Sequence, residues 1–110
     1  MASMEYTLLN KLTAKPGKRD RVVEILLESG RLFEGNEACL LYLVTAAEDD
    51  PNVVWVVDLW TSQDAHAEAL KDPALRPFVD DAMQVLAGPP EQIEVTSMGY
   101  VGTLGASLRS

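Results

Sequence analysis

Along residues 5–13, EYTLLNKLT, a period of two places Tyr6, Leu8, Asn10 and Leu12 on one face of a strand. KPGK follows and breaks it with a Pro-Gly turn. From about 18 to 33 the period lengthens: Val22, Val23, Leu26 and Phe33 fall on one side of a helix. Ile25 and Leu27 widen that stripe, as a helix covering a sheet requires. Gly30 costs this helix about 1 kcal/mol relative to alanine, so its last turn is its weakest. Residues 38–46, ACLLYLVTA, predict a second strand. The acidic turn EDDPN joins it as a hairpin to a third at 53–60, VVWVVDLW. Thr61 or Ser62 then caps a helix through TSQDAHAEALKD, and Pro73 interrupts it. A second helical piece over about 74–86 gathers Leu75, Phe78, Val79, Ala82 and Leu86. Gly88-Pro89-Pro90 stops it ahead of a fourth strand at 92–102, and the tail at 103–110 is expected to be mobile or to lie on a partner.

The order β-α-β-β-α-β predicts an α+β, ferredoxin-like fold: a four-stranded antiparallel sheet with its helices on one face. The chain is one domain over 1–110, with its core at about 5–102. The third strand is apolar on both sides, with Val53, Trp55, Val57 and Leu59 on one and Val54, Val56 and Trp60 on the other. A strand with one wet face alternates with polar residues, and this one does not. Trp55 is expected in the core beneath the helices. The simplest cover for the second face is another copy of the chain, so the pattern alone implies a homodimer.

Composition removes several function classes. At 110 residues the chain is 47% hydrophobic, 24% charged and carries a net charge of −8. Its nine basic residues are scattered, so there is no basic face for nucleic acid. No apolar run approaches the ~20 residues of a membrane helix. Nothing at the N-terminus resembles a signal peptide, and a single cysteine, Cys39, fits a reducing interior, so a cytoplasmic location is expected. One cysteine and one histidine argue against a zinc site or any other bound metal. There is no GxGxxG and no phosphate loop.

Three residues carry candidate chemistry. Asn10 is an amide between Leu8 and Leu12: either a polar group in an apolar cavity or one that satisfies a nearby carbonyl. Trp60 ends the third strand on the face of Asp58, where a buried indole N–H needs a partner and core packing is the ordinary role. Asp58 is expected to pair with a basic residue at a sheet edge or dimer interface. His66, the only histidine, is the side chain best suited to exchange protons near neutral pH, unless it is solvated at a polar helix start. Tyr42, Phe78 and Met83 are candidate walls of a flat aromatic pocket, or core.

The run NEACLLYLV followed by DDPNVVWVVDLWTSQDA resembles the antibiotic biosynthesis monooxygenase domains, and KPGKRD is similar to their usual entry into the first helix. The resemblance spans roughly Tyr6 to Tyr100. It implies a dimeric α+β barrel and oxidation of a hydroxylated aromatic, quinol or polyketide-like substrate. The reaction would use dioxygen as co-substrate, with no metal or flavin. It also implies that Asn10, in the context NKLT, faces the cavity and holds the substrate's carbonyl or developing oxyanion. Trp60 would line that cavity and fix the flat ring. His66 lies near where polyketide-tailoring members place a tyrosine and would take the hydroxyl proton. The departures are specific: AEAL and DPALRPF lack the histidines of quinol-oxidising members, and no axial histidine stands near Phe78 and Val79 for haem degradation. The alternatives are a non-catalytic small-molecule-binding or stress-related barrel module and a proton-shuffling isomerase or decyclase-like enzyme using the same cavity.

Overall fold

The computed structural model describes residues 5–103. Eight-residue strands β1 (Tyr6–Thr13), β2 (Cys39–Ala46) and β3 (Val53–Trp60) and the shorter β4 (Glu91–Thr96) form one sheet in the order β2-β3-β1-β4, every pair antiparallel. Helices α1 (Arg19–Gly30), α2 (Gln63–Ala69) and α3 (Arg76–Val85) complete a ferredoxin-like α+β fold. The expected first helix ends three residues early, because Arg31–Phe33 tightens into a 3-10 turn. The fourth strand stops at Thr96 rather than at 102. The tail expected at 103–110 lies, beyond its first residue, outside the described residues.

Local chemistry sets the element ends. Ser62, not Thr61, caps α2, its hydroxyl accepting from Ala65 N–H at 3.0 Å. Asp72 accepts from Ala74 N–H at 2.9 Å and opens a Pro73–Leu75 turn that separates α2 from α3. Arg19 at the start of α1 donates to the carbonyls of Ala47 and Asp50, at 2.9 and 2.8 Å, and so ties the β2–β3 hairpin to the helix layer.

The core lies between the sheet and α1, built on Leu12, Ala14, Val22, Val54 and Val56, with Leu26, Tyr42, Val85 and Leu86 packed against it. The even-numbered residues of β3 therefore face the helices. Trp55 does not: it sits on the opposite face, 38% exposed, with Lys11 Nζ 5.8 Å from its ring centroid. Both parities of β3 are apolar, so the strand's own pattern does not say which face the helices cover. Glycine-30, the weak point of α1, has ordinary helical angles (φ −61°, ψ −26°). Its role is room: a Cβ there would lie 2.7 and 2.8 Å from Cε2 and Cδ2 of Tyr42.

Candidate functional site

Strand register assembles the site. On the helix-facing side Tyr42, Asp58, Leu8 and Glu94 form one row across the four strands, and Val44, Val56, Asn10 and Gln92 form the next. Asn10 is thus opposite Val56 and diagonal to Asp58. Its amide donates to the Val56 carbonyl at 3.2 Å and to Asp58 Oδ1 at 2.9 Å, and its own carbonyl accepts from Gln92 Nε2 at 2.8 Å. Trp60, two residues beyond Asp58, donates its indole N–H to Asp58 Oδ2 at 2.8 Å. Asp58 is 4% exposed and has two neutral donors, one on each oxygen.

His66 arrives from α2, the helix that Ser62 caps. Its ring is held between two aromatics, with centroids 5.2 Å from Trp60 and 5.6 Å from Tyr6. Its Nε2 stands 3.9 Å from Asp58 Oδ2, too far for a hydrogen bond and close enough for a strong charge interaction. Burial pushes the Asp58 carboxyl above the usual carboxylate range, while the bonds from Trp60 and Asn10 and the charge of His66 work the other way. Burial likewise pushes the Tyr42 phenol up to about 12. The hydrogen bond to Glu94 is the first cause that lifts Tyr6 to about 12.

These groups open onto a cavity of about 280 Å³ between the sheet and the helices. Asn10, Ser29, Tyr42, Asp58, His66 and Gln92 supply its polar wall, and Leu12, Leu26, Phe33, Val56, Leu70, Leu75, Val79 and Pro90 the rest. Few polar groups converging in an apolar hollow is the usual form of a small-molecule site. The volume falls just below the ~300–1,000 Å³ of drug-sized pockets, which suits one or two fused rings.

Asn10, His66 and Tyr42 thus meet in one cavity. Trp60 does not line it: fully buried, it stands behind Asp58 and His66. Both amide hydrogens of Asn10 are directed at protein acceptors, so its contact with the site runs through Asp58. Phe78 and Met83 are off the cavity wall. Val79 is the α3 side chain that lines it, and Met83 is 70% exposed. Among the described residues the basic neighbour of Asp58 is His66 rather than a side chain at a sheet edge, because β3 is an interior strand of the sheet. Its parity with Trp60 was the available signal for a place in the site. Gln92, the cavity's amide from β4, left no signal in the sequence pattern, since glutamine is ordinary on an exposed strand. Among the described residues no group of three or more His, Cys, Asp and Glu side chains could hold a metal ion, and no helix is long and apolar enough to cross a membrane.

The structure is similar to a proposed antibiotic biosynthesis monooxygenase from Chloroflexus aurantiacus J-10-fl, at 28% identity, a TM-score of 0.79 and coverage of 89% of this chain and 97% of that one. It shares its fold with SnoaB, a cofactor-independent oxygenase from Streptomyces nogalater, at 18% identity and a TM-score of 0.76, over 91% and 99% of the two chains. A Nitrosomonas europaea protein, also proposed to be such a monooxygenase, gives a TM-score of 0.81 at 13% identity, over 93% and 97%. No curated protein matches the chain. The sequence model of antibiotic biosynthesis monooxygenases matches residues 5–81. The chain, built on this sheet and cavity, belongs to the antibiotic biosynthesis monooxygenase family.

Proposed function

We propose that the protein is a cofactor-independent monooxygenase that inserts one atom of dioxygen into a small hydroxylated aromatic or quinol. One observation carries this beyond family membership: a buried carboxylate, Asp58, beside the imidazole of His66, both opening onto an otherwise apolar cavity.

The reaction needs a proton acceptor, and then exclusion of water from the anion that results. His66 takes the substrate's hydroxyl proton. The resulting imidazolium is held by Asp58, since opposite charges about 4 Å apart at an effective dielectric of ~20 attract by about 4 kcal/mol before desolvation is counted. Asn10 and Trp60 keep the Asp58 carboxylate aimed at His66. The second Nε2 hydrogen of Gln92 and the Tyr42 hydroxyl are the cavity's donors for the developing oxyanion. The electron-rich anion reduces dioxygen and forms a C–O bond at a ring carbon. The peroxide anion so formed takes the proton back from His66. Its O–O bond then breaks: one oxygen leaves as water, the ring carbon loses its hydrogen, and a carbonyl remains. For a naphthol the balance is arene plus dioxygen to naphthoquinone plus water. The substrate supplies every electron, so neither flavin nor metal is required.

The working form is a homodimer. On the face away from the helices Leu43, Val57, Leu9 and Ile93 run in one row across all four strands. Leu43 and Ile93 in that row are 42% and 54% exposed in the single chain. A second copy of the same face would remove this apolar area from water.

The test is oxygen uptake with 1-naphthol, 1,4-naphthoquinol and anthrone by purified protein. Uptake is expected with at least one of them, and His66→Phe should lower turnover by ~10²–10⁴. Conversion under nitrogen instead would identify a proton-shuffling isomerase. Binding without conversion would identify a binding module.

A further inference from the structure

We infer that Phe33 limits substrate size: its ring is the partition that holds the cavity to one- or two-ring hydroxyarenes. This rests on the oxygenase reading for the identity of the substrate, and on the shape of the chain alone for the partition.

Three hollows meet at this side chain. The cavity of about 280 Å³ holds Asp58 and His66. A groove of about 540 Å³ lies outside it, lined among others by Asn36, Ala65, Lys71 and Asp72. A second groove, of about 520 Å³, runs past Gly30, Cys39 and Leu41. Among the described residues Phe33 is the one on the walls of all three, and the only one shared between the cavity and the first groove. Its ring stands edge-on to Trp60 with centroids 5.2 Å apart, and 5.6 Å from Tyr42. Trp60 in turn touches His66, so the partition lies one aromatic ring behind the proton acceptor. Because Phe33 and His66 line the same cavity, a substrate whose hydroxyl reaches His66 is bounded by the Phe33 ring.

Phe33 is carried by a single 3-10 turn with no buried residue, between α1 and Gly35 at φ +79°. Removing its ring opens the cavity into the first groove without cutting a strand or a long helix. That groove carries an amide and both signs of charge at Asn36, Lys71 and Asp72, groups suited to polar substituents on the outer rings of a polycycle.

The experiment measures anaerobic binding of 1-naphthol and 1-hydroxypyrene, two and four fused rings, by fluorescence titration of wild type, Phe33→Leu and Phe33→Ala. Wild type should favour 1-naphthol. Phe33→Ala should shift the ratio of dissociation constants toward 1-hydroxypyrene by about tenfold or more, with Phe33→Leu between the two. If Phe33→Ala does not fold, Phe33→Leu reads the same shift at smaller size. A ratio unchanged in a variant that melts cooperatively, or equal weakening of both probes, would overturn the partition. A wild type that binds 1-naphthol but consumes no oxygen with any hydroxyarene would remove the oxygenase reading and leave the partition to stand or fall on the ratio. Wild type binding neither probe at its solubility limit would overturn both.

Discussion

Glycine-30 permits a test in which two well-known effects carry opposite signs. Replacing a helical glycine by alanine ordinarily stabilises by about 1 kcal/mol. The angles at Gly30 allow alanine, so this gain applies to the backbone in full. The added Cβ, however, would lie 2.7 Å from a ring carbon of Tyr42. That ring packs against Phe33 and faces Ser29, so it cannot swing away freely. Overpacking of this kind costs typically ~1–3 kcal/mol. Gly30→Ala should therefore be neutral or destabilising by up to ~2 kcal/mol in the wild-type background. In a Tyr42→Ala background the clash is gone, and the same change should stabilise by about 1 kcal/mol. Urea denaturation of the four proteins closes a double-mutant cycle, with an expected coupling of ~1–3 kcal/mol. Equal stabilisation by Gly30→Ala in both backgrounds would show that Gly30 has no part in seating Tyr42.

The carboxyl of Asp58 is pushed up in the folded chain, so the fold holds its proton more tightly than the unfolded chain does. The stability this contributes is complete below the ordinary aspartate pKa and is lost as pH rises through the raised one. The melting temperature of wild type minus that of Asp58→Asn should accordingly fall as pH rises from the ordinary aspartate range, and a rising difference would contradict the burial argument. Ser62→Ala should cost about 1 kcal/mol through loss of the α2 cap, and should lower turnover with it because that helix carries His66. A variant equally destabilised but fully active would separate the cap from the site. Ile93→Glu, which sets a charge in the apolar cross-strand row, should shift sedimentation from dimer to monomer, and an unchanged dimer would place the interface elsewhere.

Much of the fold was legible because the strands obey their period: Tyr6, Leu8, Asn10 and Leu12 share the helix-facing side, and β3 begins and ends at the expected residues. What pattern cannot carry is strand order. The pattern leaves Asp58 at a sheet edge or dimer interface because nothing in VVWVVDLW says that the strand is interior, and it puts Trp55 beneath the helices because both faces are apolar. Gly30 argues against a helical turn by propensity, yet α1 runs through it at ordinary helical angles, and the missing Cβ leaves room for Tyr42. The site was legible in outline at Asn10 and His66. The hydrogen bonds that hold Asn10 follow from cross-strand register, which pairs residues 46 to 82 positions apart, whereas Trp60 reaches Asp58 from two residues along the same strand. Met83 was expected on a pocket wall for its apolar type, whereas α3 places Val79 there instead.

If the proposed reaction holds, one oxygen atom of the product comes from dioxygen without a bound cofactor. Protein treated with a chelator, and free of flavin by its absorbance, should be incubated with 18O-labelled dioxygen and whichever hydroxyarene supports oxygen uptake. Mass spectrometry should find one labelled atom per product, with loss of product formation in His66→Phe. An unlabelled product, or uptake recovered as hydrogen peroxide with no label in the arene, would contradict it.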